Sequence, residues 1–348
     1  MKKSRRKNRH LKHKRYTKYK LGKTKKENLT KKVFRPLLKL AFIFILIILY
    51  FSIFVFQITK EENYYYIKRN KFIKSKGKTY NESNLITLED KINWLIIHDT
   101  NKLKAKCADK ILLHEYSKKK LGKDICNKII KIYNKTDEIK LNELPEQFVL
   151  KANHGSGFNI IVENKKEMNF NYAKYMLNYW MSRDFGRQLK EFHYSFIKRK
   201  IFSEEYIGKN LKNYKFLCYN GQPKYVYISV YIEGYKYRNF YDMNWKFLNF
   251  SCLSKPHPTY IFERSKFFEL MKEYSKKLSS DFKFVRVDLY ELENEVRLGE
   301  LTFTPMSGAF YCKNLNDEIE LGKDIDTKIR IYDYFIKFLS FIGYYDNS

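Results

Sequence analysis

Acidic residues are scarce in this chain of 348 residues: 38 Asp and Glu stand against 69 Lys and Arg, a formal net charge of +31. The shortage is concentrated at the start, where residues 1–39 hold about 18 basic residues and one acidic, Glu27. Apolar residues are nearly absent from "MKKSRRKNRHLKHKRYTKYK", so that stretch cannot bury a core, and an unstructured tail is expected. Cysteine is also scarce. Cys107, Cys126, Cys218, Cys252 and Cys312 are odd in number, far apart and never spaced CxxC. That spacing suggests neither a zinc site nor a disulfide framework, so free thiols, which suit a reducing compartment, are expected. There is no internal repeat and no GxxxxGK[ST] loop. No Ser-His-Asp or Cys-His constellation points to a side-chain nucleophile.

What is present begins with "LAFIFILIILYFSIFVFQIT", residues 40–59, which carries no charge and is long enough to cross a bilayer. No small-residue cleavage site follows, so a retained single-pass membrane anchor is expected, with the lipid bilayer as partner. The basic tail argues for an N-terminus inside, but Lys68, Arg69, Lys71, Lys74, Lys76 and Lys78 crowd the other flank too. The tail's charge suits anionic lipid, RNA, or a merely topogenic and solubilising role; a nucleic-acid partner is not expected.

Residues 60–84 read as a polar, aromatic linker, and from about Leu85 the sequence turns globular. "TLEDKINWLIIHDT" and "CADKILLHEYSKKKLG" have helical periodicity, the second with a glycine stop. "NYAKYMLNYWMSRDFGRQLKEFHYSFIK" reads as one long aromatic helix. "RKIFSEEYIG", "NYKFLCYNGQPKYVYISVYIE" and "YRNFYDMNW" read as successive antiparallel strands, with "NGQP" a turn. Helices alternating with antiparallel strands predict an α+β domain over 85–348, not a doubly wound parallel sheet.

"RVDLYELENEVRLGELTFTPMSG", Arg286 to Gly308, reads as a hairpin. Pairing its halves about a three-residue loop, 293–295, sets Asp288 opposite Glu300, Arg286 opposite Thr302 and Val287 opposite Leu301. One face is then apolar throughout. A shift to a two-residue loop sets Val287 against Glu300 and mixes the faces, so the apolar pattern selects the register. Two carboxylates so placed repel. A bound Mg²⁺ reverses the sign, because it takes few carboxylates together with phosphate oxygens. An exposed hairpin whose carboxylates bend away into water is the plainer alternative.

Upstream, "LPEQFVLKANHGSG" ends an apolar strand at Lys151 and continues into a loop with Gly155, Ser156 and Gly157, small enough to bring backbone N–H groups near phosphate. In order along the chain come Lys110 in "ADK", Lys151 with its glycine loop, "SEEYI", and the paired carboxylates with Arg286. This order resembles the ATP-grasp superfamily. More closely, "FVLKANHGSG", "NYKFLCYNG", "RVDLY" and "GELTFTPMSG" resemble the TupA-like ATP-grasp family of bacterial cell-surface polysaccharide clusters, from about Leu85 to the C-terminus. The resemblance implies two α+β subdomains clasping ATP. It implies that Lys110 and Lys151 contact phosphate or adenine, that Tyr206 and Ile207 beside Glu204 and Glu205 meet the adenine edge, and that Gly155, Ser156 and Gly157 cover the phosphates. Asp288 and Glu300 would hold Mg²⁺ and Arg286 would neutralise the transferred phosphoryl group; Lys215 faces the cleft as a further nucleotide-binding candidate. The implied activity is an ATP-dependent carboxylate–amine ligase acting through an acyl phosphate on a glycan-linked or small-molecule carboxylate. The chain departs from the family pattern at Thr302, where Asn is common, at Asn213, where an acid usually precedes "YKF", and at His114, where Arg is frequent.

Lesser candidates are His154 as a phosphate donor, His193 with Glu191 on the acceptor side, and Arg238, Asp242 and Trp245 around an acceptor pocket. Each also reads as loop, packing or core. A type II membrane glycosyltransferase is the competing function, although its only DxD triplet is Asp324 to Asp326. An inactive module for anionic polymers is a third reading. ATP chemistry favours a cytoplasmic catalytic domain.

Overall fold

The computed structural model describes residues 2–345 except 210, 233–234, 255 and 257–261; the last three residues of the expected 85–348 domain lie outside the described residues. The chain divides into two compact units, Met1–Lys60 and Glu61–Ser348. Helix α1 (Lys2–Ser75) takes in the whole described tail and most of the expected linker. The expected disordered tail over 1–39 and most of the expected linker over 60–84 fall within this helix. Lys, Arg, Leu and Ile accept helical geometry at small cost, and a helix already nucleated in the apolar run extends without a new nucleus. Past residue 60 packing also helps. Tyr65 stacks on Phe192 at 4.2 Å, and Arg69 and Ile73 are buried. Within 34–75 this helix is long and apolar enough to cross a membrane by length and composition.

The second unit continues through α2 (Leu88–His98), α3 (Lys102–Ala108), α4 (Leu113–Leu121), β1 (Ile129–Tyr133), β2 (Phe148–Ala152), β3 (Asn159–Val162), α5 (Phe170–Ser182) and α6 (Phe185–Leu189). Then follow β4 (Ile201–Glu205), β5 (Asn213–Tyr219), β6 (Gln222–Ile232), β7 (Tyr235–Asp242), β8 (Phe247–Leu248), α7 (Phe268–Ser279), β9 (Phe284–Glu291), β10 (Val296–Thr302), α8 (Leu315–Gly322) and α9 (Ile331–Phe341). The α+β expectation holds. One antiparallel sheet has the order β1-β4-β2-β3 and the other β10-β9-β5-β6-β7-β8.

Local chemistry sets the breaks. Thr87 and Asp90 close a capping box on α2. The periodic run after Cys107 is not one helix. The Asp109 carboxylate accepts the Ile111 N–H at 2.8 Å, ends α3 and restarts the chain as α4, and Lys110 stands in the gap. The long aromatic helix is likewise cut at Asp184, which caps α6 through the Arg187 N–H at 2.9 Å. Asn220 and Gly221 both adopt positive φ, 48° and 76°, the tight turn that joins β5 to β6.

Alternation buries both faces of the six-stranded sheet. Phe216, Val226 and Val285 pack with Phe268 and Met271 of α7, while Leu217, Tyr227 and Phe284 pack with Ile92 and Ile96 of α2. The smaller sheet buries Phe148 and Leu150 against Leu177 and Trp180 of α5. The cysteine expectation is corrected at one pair. Cys252 and Cys312 form a disulfide, 60 residues apart in sequence, and Cys107, Cys126 and Cys218 stay free and buried. Spacing could not reveal the pair, because it depends on an isolated antiparallel bridge in which Leu253 N–H reaches Tyr311 O at 3.0 Å and Lys313 N–H reaches Ser251 O at 2.8 Å.

Candidate active site

The site grows from the β9–β10 hairpin. Glu300 lies opposite Asp288, Leu301 opposite Val287 and Thr302 opposite Arg286, as the apolar pattern requires. The turn end differs from expectation. Arg297 pairs with Tyr290 and Val296 with Glu291, one step out of phase, and a bulge between Leu298 and Glu300 restores the register. Gly299 makes that bulge possible. A Cβ there would meet the Tyr290 ring at 2.6 Å.

Cations already present make the carboxylate pair tolerable. Arg286 donates to both oxygens of Asp288, Nε to Oδ1 at 2.6 Å and one terminal nitrogen to Oδ2 at 2.8 Å. That same terminal nitrogen reaches Glu300 Oε1 at 2.8 Å and Thr302 Oγ1 at 3.0 Å. Lys215, which faces Asp288 across β5 and β9, donates to its Oδ2 at 2.6 Å. Two anions and two cations therefore cancel in one cluster, nearly dry at Asp288 (2% exposed) and Arg286 (9%) and open to solvent at Glu300. Burial works against ionisation of Glu300, but Arg286, Lys110 and Lys215 outweigh it and pull its pKa down to about 2. Burial lowers the pKa of Lys215 and of Lys110, against the opposite pull of Asp288 on the first and Glu300 on the second.

In front of this cluster lies a cavity of about 410 Å³, lined by Asp288, Glu300 and Lys215 together with Lys110, Lys151 and Gly157. Glu204, Glu205, Tyr206 and Ile207, at the end of β4 and the start of the connection to β5, line it as well. Lys151 projects from β2 and pairs with Glu204 at 2.5 Å, and Asn127 donates to the same carboxylate at 3.4 Å. Glu205 holds the Lys128 N–H at 3.1 Å, and the Tyr206 hydroxyl donates to Glu163 at 2.8 Å. Gly155 and Ser156 are not on the cavity wall. The Gly155 carbonyl accepts from Lys110 Nζ, and its Cα is pressed against Phe158, whose ring a Cβ would meet at 2.6 Å. Arg286 sits behind the carboxylates and reaches the cavity only through them.

The lesser candidates fall elsewhere. His154 is buried, donates Nε2–H to the Trp180 carbonyl at 3.0 Å and so turns away from the cavity. His193 is buried between Tyr194 and Phe303, and burial drops its pKa to about 3, so it is a neutral core residue. Trp245 stacks on Tyr241 at 4.4 Å, and Asp242 holds the turn N–H groups of Asn244 and Lys246. Arg238 lies opposite Ser229 on β7. Asp324 pairs with Lys224 at 2.7 Å and Asp326 with Arg330 at 2.6 Å, so each carboxylate of the DxD triplet is held by a basic side chain.

Residues that the sequence did not single out also shape the site. Asn127, Phe158 and Tyr290 line the cavity. Glu191, the acceptor-side candidate named with His193, is not on the cavity wall; it is buried beneath the turn that follows β10, accepting from Thr304 and, at 2.7 Å, from Ser307. Arg69 clamps the same turn through Ser307 O and Asn93. Met306 and Ser307 hold φ of 56° and 52°, a left-handed corner that this clamp over-determines. The glycine inside "RLGEL" was a readable bulge signal; the Arg69–Glu191 clamp, joining segments over a hundred residues apart, carried none.

An α+β unit with basic side chains and a strand-borne carboxylate pair around one cavity is what the resemblance to the ATP-grasp class implies. The family model for TupA-like ATPgrasp matches residues 90–326, and the chain belongs to that family. Among solved structures the chain is similar to D-alanine-D-alanine ligase from Helicobacter pylori, with 19% identity, 64% of this chain and 60% of that one covered, and a TM-score of 0.36. It is also similar to D-alanine–D-alanine ligase from Bacillus anthracis, with 14% identity, 69% of each chain covered and a TM-score of 0.37. A third is L-amino acid ligase from Bacillus licheniformis, with 14% identity, 60% and 45% covered, and a TM-score of 0.38. No curated protein matches the chain significantly.

Proposed function

We propose that this chain is a membrane-anchored, ATP- and Mg-dependent carboxylate–amine ligase acting in cell-surface polysaccharide biosynthesis. The observation that carries the reading is the meeting of Lys110, Lys151, Lys215 and the Arg286-braced Asp288–Glu300 pair around one cavity. Phosphoryl transfer needs positioning and charge neutralisation more than a side-chain nucleophile, and these groups supply both.

The donor set fits Mg²⁺ in kind, because Asp288 and Glu300 are hard oxygen ligands on paired strands and Thr302 adds a hydroxyl. Bound there, the ion supplies positive charge to phosphate oxygens. Lys215, which holds Asp288 at 2.6 Å and lines the cavity, is the cation that reaches from the carboxylates toward a phosphate. Lys110 and Lys151 line the same cavity, where they neutralise phosphate, and residues 204–207 flank the base. In the reaction the acceptor carboxylate oxygen attacks the terminal phosphorus, the bond to the bridging oxygen breaks and ADP leaves. The amine then attacks the carbonyl carbon of the acyl phosphate, phosphate departs, and the amine proton passes to solvent. A glycan-linked or small sugar acid is the proposed acceptor.

ATP supply puts the second unit in the cytoplasm, which the basic residues on both flanks of 40–59 permit. The basic tail and the Cys252–Cys312 bond pull the other way, since disulfides persist in oxidising compartments. Alkylation of thiols in intact cells tests the side: this reading expects that pair reduced in vivo. The function is tested by calorimetric titration of the full chain in detergent with Mg-ATP, followed by ADP release in the presence of sugar acids and amines. Absence of Mg-ATP binding, or turnover of a nucleotide sugar instead, refutes the ligase reading.

A further inference from the structure

The C-terminal helix α9 buries Ile336 in the core and carries a second apolar stripe that the protein leaves uncovered. At 100° per residue, Ile331, Tyr334, Phe335, Phe338 and Ile342 fall on one stripe about 100° wide. That stripe faces outward: Ile331 is 89% exposed, Phe335 53% and Ile342 46%. The side that faces the protein is mixed: Ile336 is buried in the core with Leu339 packed beside it, and polar groups hold the rest. Asp333 pairs with Lys283 at 3.0 Å, Lys337 is buried against Glu62, and Ser340 Oγ accepts the Lys102 N–H at 3.2 Å. An apolar stripe pointing outward from a helix already fixed by Ile336 and by its ion pairs needs a cover of its own.

We propose that the outward stripe of α9 lies in the headgroup–acyl boundary of a lipid bilayer. The proposal rests on the membrane-anchor reading above and adds a second lipid contact to it. Its position argues for lipid. Glu62, the partner of Lys337, follows the end of the apolar run at Thr59 by three residues, a rise of about 5 Å along a helix. The ion pair therefore holds α9 beside the point where an anchored chain leaves the membrane. Composition argues the same way. Tyr332 and Tyr334 are the amphipathic rings that favour the interface, and Tyr64, Tyr66 and Ile67 on the juxtamembrane turn are exposed as well. Lys68, Lys71 and Lys74, exposed just beyond, match anionic headgroups.

The test is photocrosslinking of the full chain, reconstituted in phosphatidylcholine–phosphatidylglycerol vesicles that carry a phospholipid with a diazirine in its acyl chain. Adducts are expected in peptides covering both 40–59 and 331–342. Changing Tyr334→Glu with Phe335→Glu alters only outward side chains. It should cut the α9 adducts roughly fivefold while leaving those in 40–59 and the melting temperature unchanged. Adducts in 40–59 with none in α9 overturn the proposal, as do chain-to-chain crosslinks through α9 in place of lipid. Absence of adducts from 40–59 instead sinks the anchor reading, and this proposal falls with it.

Discussion

Glu300→Gln removes one carboxylate from the Arg286 cluster and changes little else in shape. Its pKa falls from 4.5 to about 2 in the folded protein, because Arg286, Lys110 and Lys215 overcome the penalty of burial. At about 1.4 kcal/mol per unit that difference is worth about 3 kcal/mol, and solvent at the one-third-exposed side chain trims it to about 2 kcal/mol. The folded value lies below the unfolded one, so this stability is fully present above the unfolded value of 4.5. It is lost as pH falls through 4.5 toward 2. Thermal melts of the full chain in detergent across that range should show a steeper loss for the parent than for the variant. At neutral pH the variant should melt several degrees lower, at roughly 2–4 °C per kcal/mol for a unit of this size. Saturating Mg-ATP, which stabilises the parent by about 3 kcal/mol at a hundredfold excess over Kd, should leave the variant's midpoint unmoved. Parallel pH slopes, or equal Mg-ATP stabilisation, would refute the charge cluster as the nucleotide–metal site.

Four further outcomes follow from the same geometry. Asp288→Asn strands Arg286 and Lys215 without their shared anion and should cost about 3–5 kcal/mol, with part recovered in the Asp288→Asn, Lys215→Met double variant when denaturant midpoints are compared. Gly299→Ala drives a methyl into Tyr290, so it should lower both the melting temperature and the Mg-ATP affinity, and Tyr290→Ala should restore part of each. His154→Ala should leave Mg-ATP affinity unchanged in calorimetry while costing about 1–3 kcal/mol, because its ring serves the Trp180 carbonyl. Reduction of the purified protein should destabilise it by about 4 kcal/mol if the 60-residue loop acts through chain entropy, and Cys252→Ser should abolish that sensitivity to reductant.

Much of the site is readable because its chemistry follows short-range rules. Strand alternation is strict, so Val285, Val287 and Leu289 on one face oblige Arg286 and Asp288 onto the other, and the partner strand must set Glu300 beside them. Lys110, Lys151 and residues 204–207 come from separate elements, yet family-like order along the chain was enough to place them in one expected cavity. Other features escaped for reasons of distance. The Cys252–Cys312 bond and the Arg69–Glu191 clamp join segments far apart in sequence. Where helices break was hidden too, since periodicity continues past Asp109 and Asp184, and only a carboxylate turning back on its own backbone ends the helix there.

Local pattern thus settled the apolar run, the α+β character and the hairpin register, because each follows from spacing along a single stretch of backbone. Three-dimensional packing settled which cation neutralises which anion, and left one apolar stripe of α9 facing outward. Those outcomes depend on which distant groups arrive within hydrogen-bond reach, and electrostatic energy at 3 Å bears no relation to separation along the chain.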